Sequence, residues 1–399
     1  MKPAPTSTTT CESAPRVALY RNPRVRNALA QALLLALLLW LAYELVLNAR
    51  ANIEAQHIGQ GFGFLANTAG FGVNQSLIPY NEGDTYGRVF FVGLLNTLLV
   101  AAIGIVVATV VGFLIGIARL SSNWLVARLA GGYVELVRNL PLLFQILFWY
   151  LAVLGMLPGA RQSISLWGGV HVSNRGLIMP APVFGPGAGY AGYALLLAAL
   201  AALALKYWAK RRQEQTGQPF PVGISMSLLL AGLPLGALAL AGWPLSFEVP
   251  VLRGFNFVGG IRLIPEFIAL LLGLTIYTAA FIAEIVRAGI LAVPRGQTEA
   301  ASALGLSRAL ALRLVVVPQA LRVIVPPLTN QYLNLTKNSS LAVAIGYPDL
   351  VAVFAGTTLN QTGQAIEIIA ITMAVYLSIS LLTSAFMNWY NARIALVQR

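Results

Sequence analysis

Few side chains in this sequence are suited to making or breaking covalent bonds. Its 399 residues include 13 Asp and Glu, two His (His57 and His171) and one Cys, Cys11. No disulfide can close within the chain, and a Cys/His metal site is not expected. No Gly-x-x-x-x-Gly-Lys-[Ser/Thr] phosphate loop occurs. What the sequence does bring together are polar groups set inside long apolar runs. Glu284 and Arg287 are one helical turn apart and share a face. Asn330, Asn334 and Lys337 recur at i, i+4 and i+7, also on one face, and Asn338, Ser339 and Ser340 follow. Asn96 and Thr97 lie near the end of another run. An ionised side chain at the centre of a membrane helix costs about 2.5–3.5 kcal/mol on insertion scales, so such groups must face protein or water. Two readings stay open for each set. It lines a path or gate for a polar solute, or it ties the protein together. The tie would be an ion pair for Glu284 and Arg287, and interhelical hydrogen bonds for the Asn and Ser residues.

The elements that hold these groups are membrane-spanning helices. The chain is 58% hydrophobic and 10% charged, where a soluble domain carries about 25% charge. Its apolar runs reach the roughly 20 residues that a helix needs to cross hydrocarbon. They are continuous and rich in Leu and Ala, unlike the alternating strands of a barrel. Eight spans are expected: Ala28–Leu47, Phe90–Ile117, Pro141–Leu157, Tyr190–Ala209, Ile224–Trp243, Ile264–Ile290, Leu321–Ile345 and Ile366–Trp389. The first lacks a small-residue cleavage site and is read as a retained span. Eight spans put both termini on one side. That side carries 19 Lys and Arg, from Lys2 in the N-terminal segment to Arg399. The other carries six: Arg50, Arg88, Arg161, Arg175, Arg253 and Arg262. Basic residues mark cytoplasmic loops, so both termini are expected in the cytoplasm, and this bias accounts for the net charge of +13. Two long external loops, 48–89 and 158–189, are expected to be packed surface structure or partner contacts. His57 and His171 fall in these loops and are read as solvated. Glu44 is read as interfacial, and Trp389 and Tyr390 as belt anchors.

The strongest local signal joins the sixth and seventh spans. It runs from Pro294 through Thr298, Glu299, Ala300, Ala301, Gly305 and Ser307 to Pro318. Thr298 is expected to cap a short helix, with Glu299 beside its positive end. Ala300, Ala301 and Ala303 would give that helix a slim surface, and Gly305 would end it in a left-handed conformation. Ser307 would cap a second helix running to Pro318. The outcome is a rigid elbow of two short helices that could fit a groove on another protein and transmit its movement. Ala-Ala-x-x-Leu-Gly-x-Ser also resembles a DNA-binding helix-turn-helix. Here, however, the second helix offers only Ser307, Arg308 and Arg313 to a base or phosphate, and it is tethered between spans. Nucleic acid is therefore not an expected partner.

This elbow resembles the Glu-Ala-Ala-x3-Gly-x9-Ile-x-Leu-Pro loop of ABC importer permeases, with Val315 and Val317 in place of Ile and Leu. Gly93-x-x-Asn96-Thr97-Leu98, Arg138-Asn-Leu-Pro141-Leu-Leu-x-Gln145, Tyr277 through Glu284 and Arg287 to Ile290, and Lys337-Asn-Ser-Ser-Leu341 are similar to the polar-amino-acid branch. Within it, the chain looks most like permeases of general L-amino-acid importers. Asn139-Leu140 and Asn338-Ser339 depart from the branch's usual residues. The likeness covers about 91–157 and 263–390, and leaves 158–262 as an insertion.

The resemblance implies an all-α polytopic type I permease with about eight transmembrane helices in the bacterial inner membrane. Residues 1–89 would hold the N-terminus, first span and external loop, 90–390 the permease domain, and 391–399 a cytoplasmic tail. The implied partners are an ABC ATP-binding subunit, a second permease subunit (identical or different), a periplasmic amino-acid-binding protein and membrane lipid. ATP and Mg would sit on the ATPase, and no cofactor on this chain. Thr298, Glu299, Ala300, Ala301, Gly305 and Pro318 would form the ATPase-docking loop. Asn96, Thr97, Glu284, Arg287, Asn330, Asn334 and Lys337 are the residues for a translocation path. The chief rival is an ion-coupled secondary transporter, which would need a carboxylate relay or inverted repeats. Glu284 is the one clear carboxylate for such a relay. An integral-membrane enzyme would need clustered His, Cys or carboxylates.

Overall fold

A computed structural model describes residues 23–55 and 61–394. The expectations for Cys11, His57 and the two chain ends lie outside the described residues. The chain divides into two units, the first holding the residues through Phe62 together with Thr362–Ala365. In that unit α1, Pro23–Ala55, is a single helix of 33 residues. Its leucines are exposed along the helix, Leu33 and Leu45 at 70%.

The second unit is a helical bundle built on α2 (Tyr86–Ala118) and α7 (Pro265–Leu291). Thr85 caps α2 by accepting a hydrogen bond from the Arg88 N–H. The two helices cross on small residues. A Cβ added at Gly112 would stand 2.6 Å from Cβ of Ile282, and one at Gly116 would stand 2.8 Å from the Ala283 carbonyl. In lipid, association rests on such close packing rather than on water exclusion. Around this crossing, Val100, Ile146, Leu270, Leu274, Ile324 and Leu335 form the main core.

Of the third expected span, Pro141–Leu157, only Leu142–Leu154 is helical, and a helix not expected from the sequence precedes it. An amphipathic helix, α3 (Trp124–Asn139), turns by 107° into α4 (Leu142–Leu154). Pro141, which cannot donate a backbone hydrogen bond, sits at the bend. The Gln145 side chain donates to the Val137 and Leu140 carbonyls, at 3.0 Å each, and ties the two sides of the bend together. Among the described residues seven helices are long and apolar enough to cross a membrane, and this pair counted as one span makes eight.

The stretch between α4 and α7 holds a helical hairpin, α5 (Gly189–Thr216) and α6 (Val222–Leu240), and short strands. The strands were not expected from the sequence. β1 (Ile164–Leu166), β2 (Val170–Ser173), β3 (Gly176–Met179) and β8 (Ile261–Leu263) form an antiparallel sheet in the order β1-β2-β3-β8. β4 (Ala181–Phe184) pairs with β5 (Leu245–Glu248), with Ala181 opposite Glu248 and Phe184 opposite Leu245. The hairpin thus leaves and returns through one two-stranded ladder. β6 (Val251–Arg253) and β7 (Asn256–Val258) form a further pair.

After α7 come a short helix, α8 (Arg295–Ala303), and the long α9 (Arg308–Ile345). A π-helical turn, Val351–Thr358, and α10 (Ala365–Ile394) complete the order. Phe64, Tyr86, Val89, Leu350, Phe354 and Ile368 pack into a second core at this end.

Candidate functional site

The elbow between α7 and α9 forms, with three corrections. Thr298 is not the N-cap of α8. The helix begins one turn earlier after Pro294, whose extended backbone (φ −59°, ψ 138°) sets up the first turn without a side-chain cap. Thr298 is inside the helix, its hydroxyl donating to the Arg295 carbonyl at 2.6 Å. Glu299 consequently lies past the first turn, where the helix dipole is weak. Ala301 faces inward at 3% exposure, while Ala300 and Ala303 face out. The slim outer surface is therefore Gly296, Ala300 and Ala303, and Leu304 stands at its tip with 82% exposure.

The bend itself follows the sequence. Gly305 has φ +75°. The Leu306 N–H donates to the Ala301 carbonyl at 3.1 Å, and the Gly305 N–H to that of Ser302 at 2.9 Å. Together these close a Schellman motif. Ser307 caps the next helix by accepting from the Leu310 N–H at 3.4 Å. That helix does not stop at Pro318. A π-turn, Leu312–Val316, ends with the Val317 N–H bonded back to Leu312, and the helix continues through Pro318. The widened turn removes the clash that proline makes with the carbonyl four residues before it. The elbow is thereby continuous with a helix long and apolar enough to cross a membrane. Gln319 and Gln297 tie α9 to α8 at 3.2 Å.

Glu284 and Arg287 form the expected pair on α7, at 2.6 Å. A third member was not expected: Arg119, at the end of α2, also binds Glu284. All three are partly buried, with side chains 16–33% exposed. Arg119 and Arg287 border a cleft of about 370 Å³ that also meets Arg128 and Glu135.

The remaining polar residues separate into two groups. Asn330, Asn334 and Lys337 are all exposed, on one face of α9. Lys337 and Ser340 border a cavity of about 570 Å³ with Val343, Val351, Thr372 and Tyr376. Asn96 and Thr97 do not belong with them. Both are fully buried. Asn96 donates to the Gln75 and Pro348 carbonyls at 2.9 and 2.8 Å, and Thr97 accepts from the Leu350 N–H at 3.0 Å. They clamp the connection after α9 onto α2, which is the tying role open to them from the sequence. In the same connection Asp349 is fully buried and accepts from the Ala352 N–H at 2.8 Å. Burial pushes its carboxyl up to about 7. Sequence reasoning passed over Asp349, although a Pro-Asp pair just before a helical run is a cap signal.

The family described as "Binding-protein-dependent transport system inner membrane component" matches residues 108–396. The chain is 53% identical to the general L-amino acid transport system permease protein AapQ of Rhizobium johnstonii, over 96% of each chain. It is 55% identical to the putative amino-acid ABC transporter permease protein YhdX of Escherichia coli, over 95% of this chain and 97% of that one. It is 45% identical to the glutamate/glutamine/aspartate/asparagine transport system permease protein BztB of Rhodobacter capsulatus, over 96% of each. A helical membrane bundle with an elbow continuous with one of its spans, matched over nearly its full length by these permeases, is a member of the binding-protein-dependent transport system inner membrane component family.

Proposed function

We propose that this chain is the permease subunit of an ABC importer that moves L-amino acids into the cytoplasm, with ATP hydrolysed on a separate subunit. The observation that carries the reading is the elbow. It has an exposed small-residue face, a Schellman bend at Gly305 and a direct helical connection to the membrane-spanning part of α9. Movement of an ATPase against Glu299, Ala300, Ala303 and Leu304 would tilt α9, and with it the polar face that bears Asn330, Asn334 and Lys337.

That face suits an amino acid. The Lys337 ammonium would meet the substrate carboxylate, and the Asn330 and Asn334 carbonyls would accept from its ammonium group. The cavity beside Lys337 has room for a side chain. Glu284, held between two arginines, serves as a brace rather than a relay. The charge bias supports cytoplasmic termini and, with them, an elbow on the cytoplasmic side. A second permease subunit would cover the exposed α9 face, and a periplasmic binding protein would deliver the substrate. The permease domain proper would be 90–390, with 158–262 inserted into it. Copurification with the tagged chain tests the reading. It requires a stoichiometric ATP-binding subunit that is lost when Leu304 is replaced by Asp. A chain that purifies alone and still supports uptake would overturn it.

A further inference from the structure

We propose that the groove between the end of α5 and the start of α6 is a binding site for the headgroup of an anionic phospholipid. The proposal stands apart from the transport reading.

Depth argues for it first. α5 has 28 residues and α6 has 19. A helix needs about 20 to cross hydrocarbon. The last turns of α5 therefore stand at the headgroup level, beside the first turn of α6. At that level lies a groove of about 510 Å³, lined by Leu203, Lys206, Lys210, Gln213, Phe220 and Val222, among others. The α5 members share one helix face and grade from apolar to polar, from Leu203 in the membrane through Lys206 and Lys210 outward to Gln213. An amphiphile has the same gradient. Its phosphate would lie between the two lysines and its acyl chains against Leu203 and Val222. Both helices are lined outside with exposed leucines, such as Leu200 and Leu228, so the deep end of the groove opens to lipid.

The rim is built for an anion. Arg212 packs on the Trp208 and Phe220 rings at 5.5 and 5.8 Å, and Arg211 on Tyr207 at 4.8 Å. These cation–π contacts hold two more guanidiniums on the same turns of α5, outside the groove lining. Glu214 approaches Lys210 at 3.9 Å, but both side chains are more than half exposed, and such pairs exchange readily. The topological charge bias and the interfacial aromatic belt account for basic and aromatic residues at this end. They do not account for a concave groove that sets two lysines of α5 against Phe220 and Val222 of the α6 end.

The test is lipid retention by the full chain, read by native mass spectrometry after equilibration with equal amounts of cardiolipin, phosphatidylglycerol and phosphatidylcholine. The wild type should retain the two anionic lipids over phosphatidylcholine. A surface lysine contributes about fivefold to such binding. Lys206→Gln with Lys210→Gln should thus reduce the preference by at least roughly tenfold. Arg253→Gln, in β6 beyond the other end of α6, should leave it unchanged. Excess inorganic phosphate should not displace the lipid, because it cannot fill the apolar half. The proposal is overturned by a wild type without anionic preference, by a double variant that keeps it, by displacement with phosphate, or by cross-linking of Lys206 to an acidic polypeptide instead of lipid.

Discussion

Glutamate 284 is the hub of a three-membered charge network, and its neutralisation should damage the protein more than loss of either arginine. Glu284 accepts from Arg287 on its own helix and from Arg119 on α2. Glu284→Gln leaves two guanidiniums without the carboxylate that both bind. A hydrogen bond to a charged group is worth about 1.5–3 kcal/mol, and removing one partner of a buried pair costs about 3–5. Exposure of 16–33% places this network below the fully buried limit. Glu284→Gln should therefore cost about 3 kcal/mol. Arg119→Gln removes the tie between two helices and should cost about 2. Arg287→Gln removes an i, i+3 contact within one helix, leaves Arg119 on Glu284, and should cost about 1 or less. The assay is the thermal unfolding midpoint of the purified chain in one detergent at one pH. The double variant Glu284→Gln/Arg287→Gln separates a pair from a network. An isolated pair predicts that removing both charges largely restores stability. The network predicts that it does not, because Arg119 stays half-buried without the carboxylate it binds. Recovery in that double variant, or a neutral Arg119→Gln, would refute the network.

Three further outcomes follow from the packing and the elbow. Gly112→Leu should prevent stable assembly of the bundle, since even a Cβ there stands 2.6 Å from Ile282; normal yield and melting temperature would show that the α2–α7 crossing is wrong. Gly305→Asp should leave the permease folded, because a Cβ there meets nothing within 4 Å and the left-handed backbone costs only about 1–2 kcal/mol. It should abolish substrate-stimulated ATP hydrolysis, whereas a bulky residue at buried Ala301 should disturb the elbow itself and show as local protease sensitivity. Asp349 gives a pH signature, since burial raises its carboxyl to about 7 from about 3.9 in the unfolded chain. Between these values the folded chain holds a proton that the unfolded chain has lost, so stability falls as pH rises through about 4 to 7. Asp349→Asn keeps an acceptor for Ala352 and should exceed the wild type at pH 8 by up to about 4 kcal/mol, with little difference at pH 4. A pH-independent difference would sink the assignment.

The sequence made the helices legible because lipid leaves the backbone no other choice, and long Leu- and Ala-rich runs record that constraint. Gly305 and Ser307 were legible because their roles are local: a positive φ and a side-chain cap. Thr298 misled because Pro294 could start the helix earlier, and a threonine three residues into a helix is as comfortable bonding back to a carbonyl. Pro318 misled because a π-turn absorbs it. The strands at 164–184 and 245–263 were missed because each is only three or four residues long, too short for alternation to register. Arg119 was hidden by distance in sequence, since nothing local ties it to Glu284. Gly104, Ala108, Gly112 and Gly116 did carry a signal. Four small residues at intervals of four in one apolar run mark a helix-packing face.

Amino-acid uptake into proteoliposomes containing this chain and its copurified partners tests the central claim most directly. The account predicts accumulation of labelled L-amino acids when ATP is supplied on the elbow side, none without ATP, and none with Gly305→Asp although the variant inserts normally. Uptake that proceeds without ATP, is driven by a proton or sodium gradient and is indifferent to Gly305→Asp would contradict it.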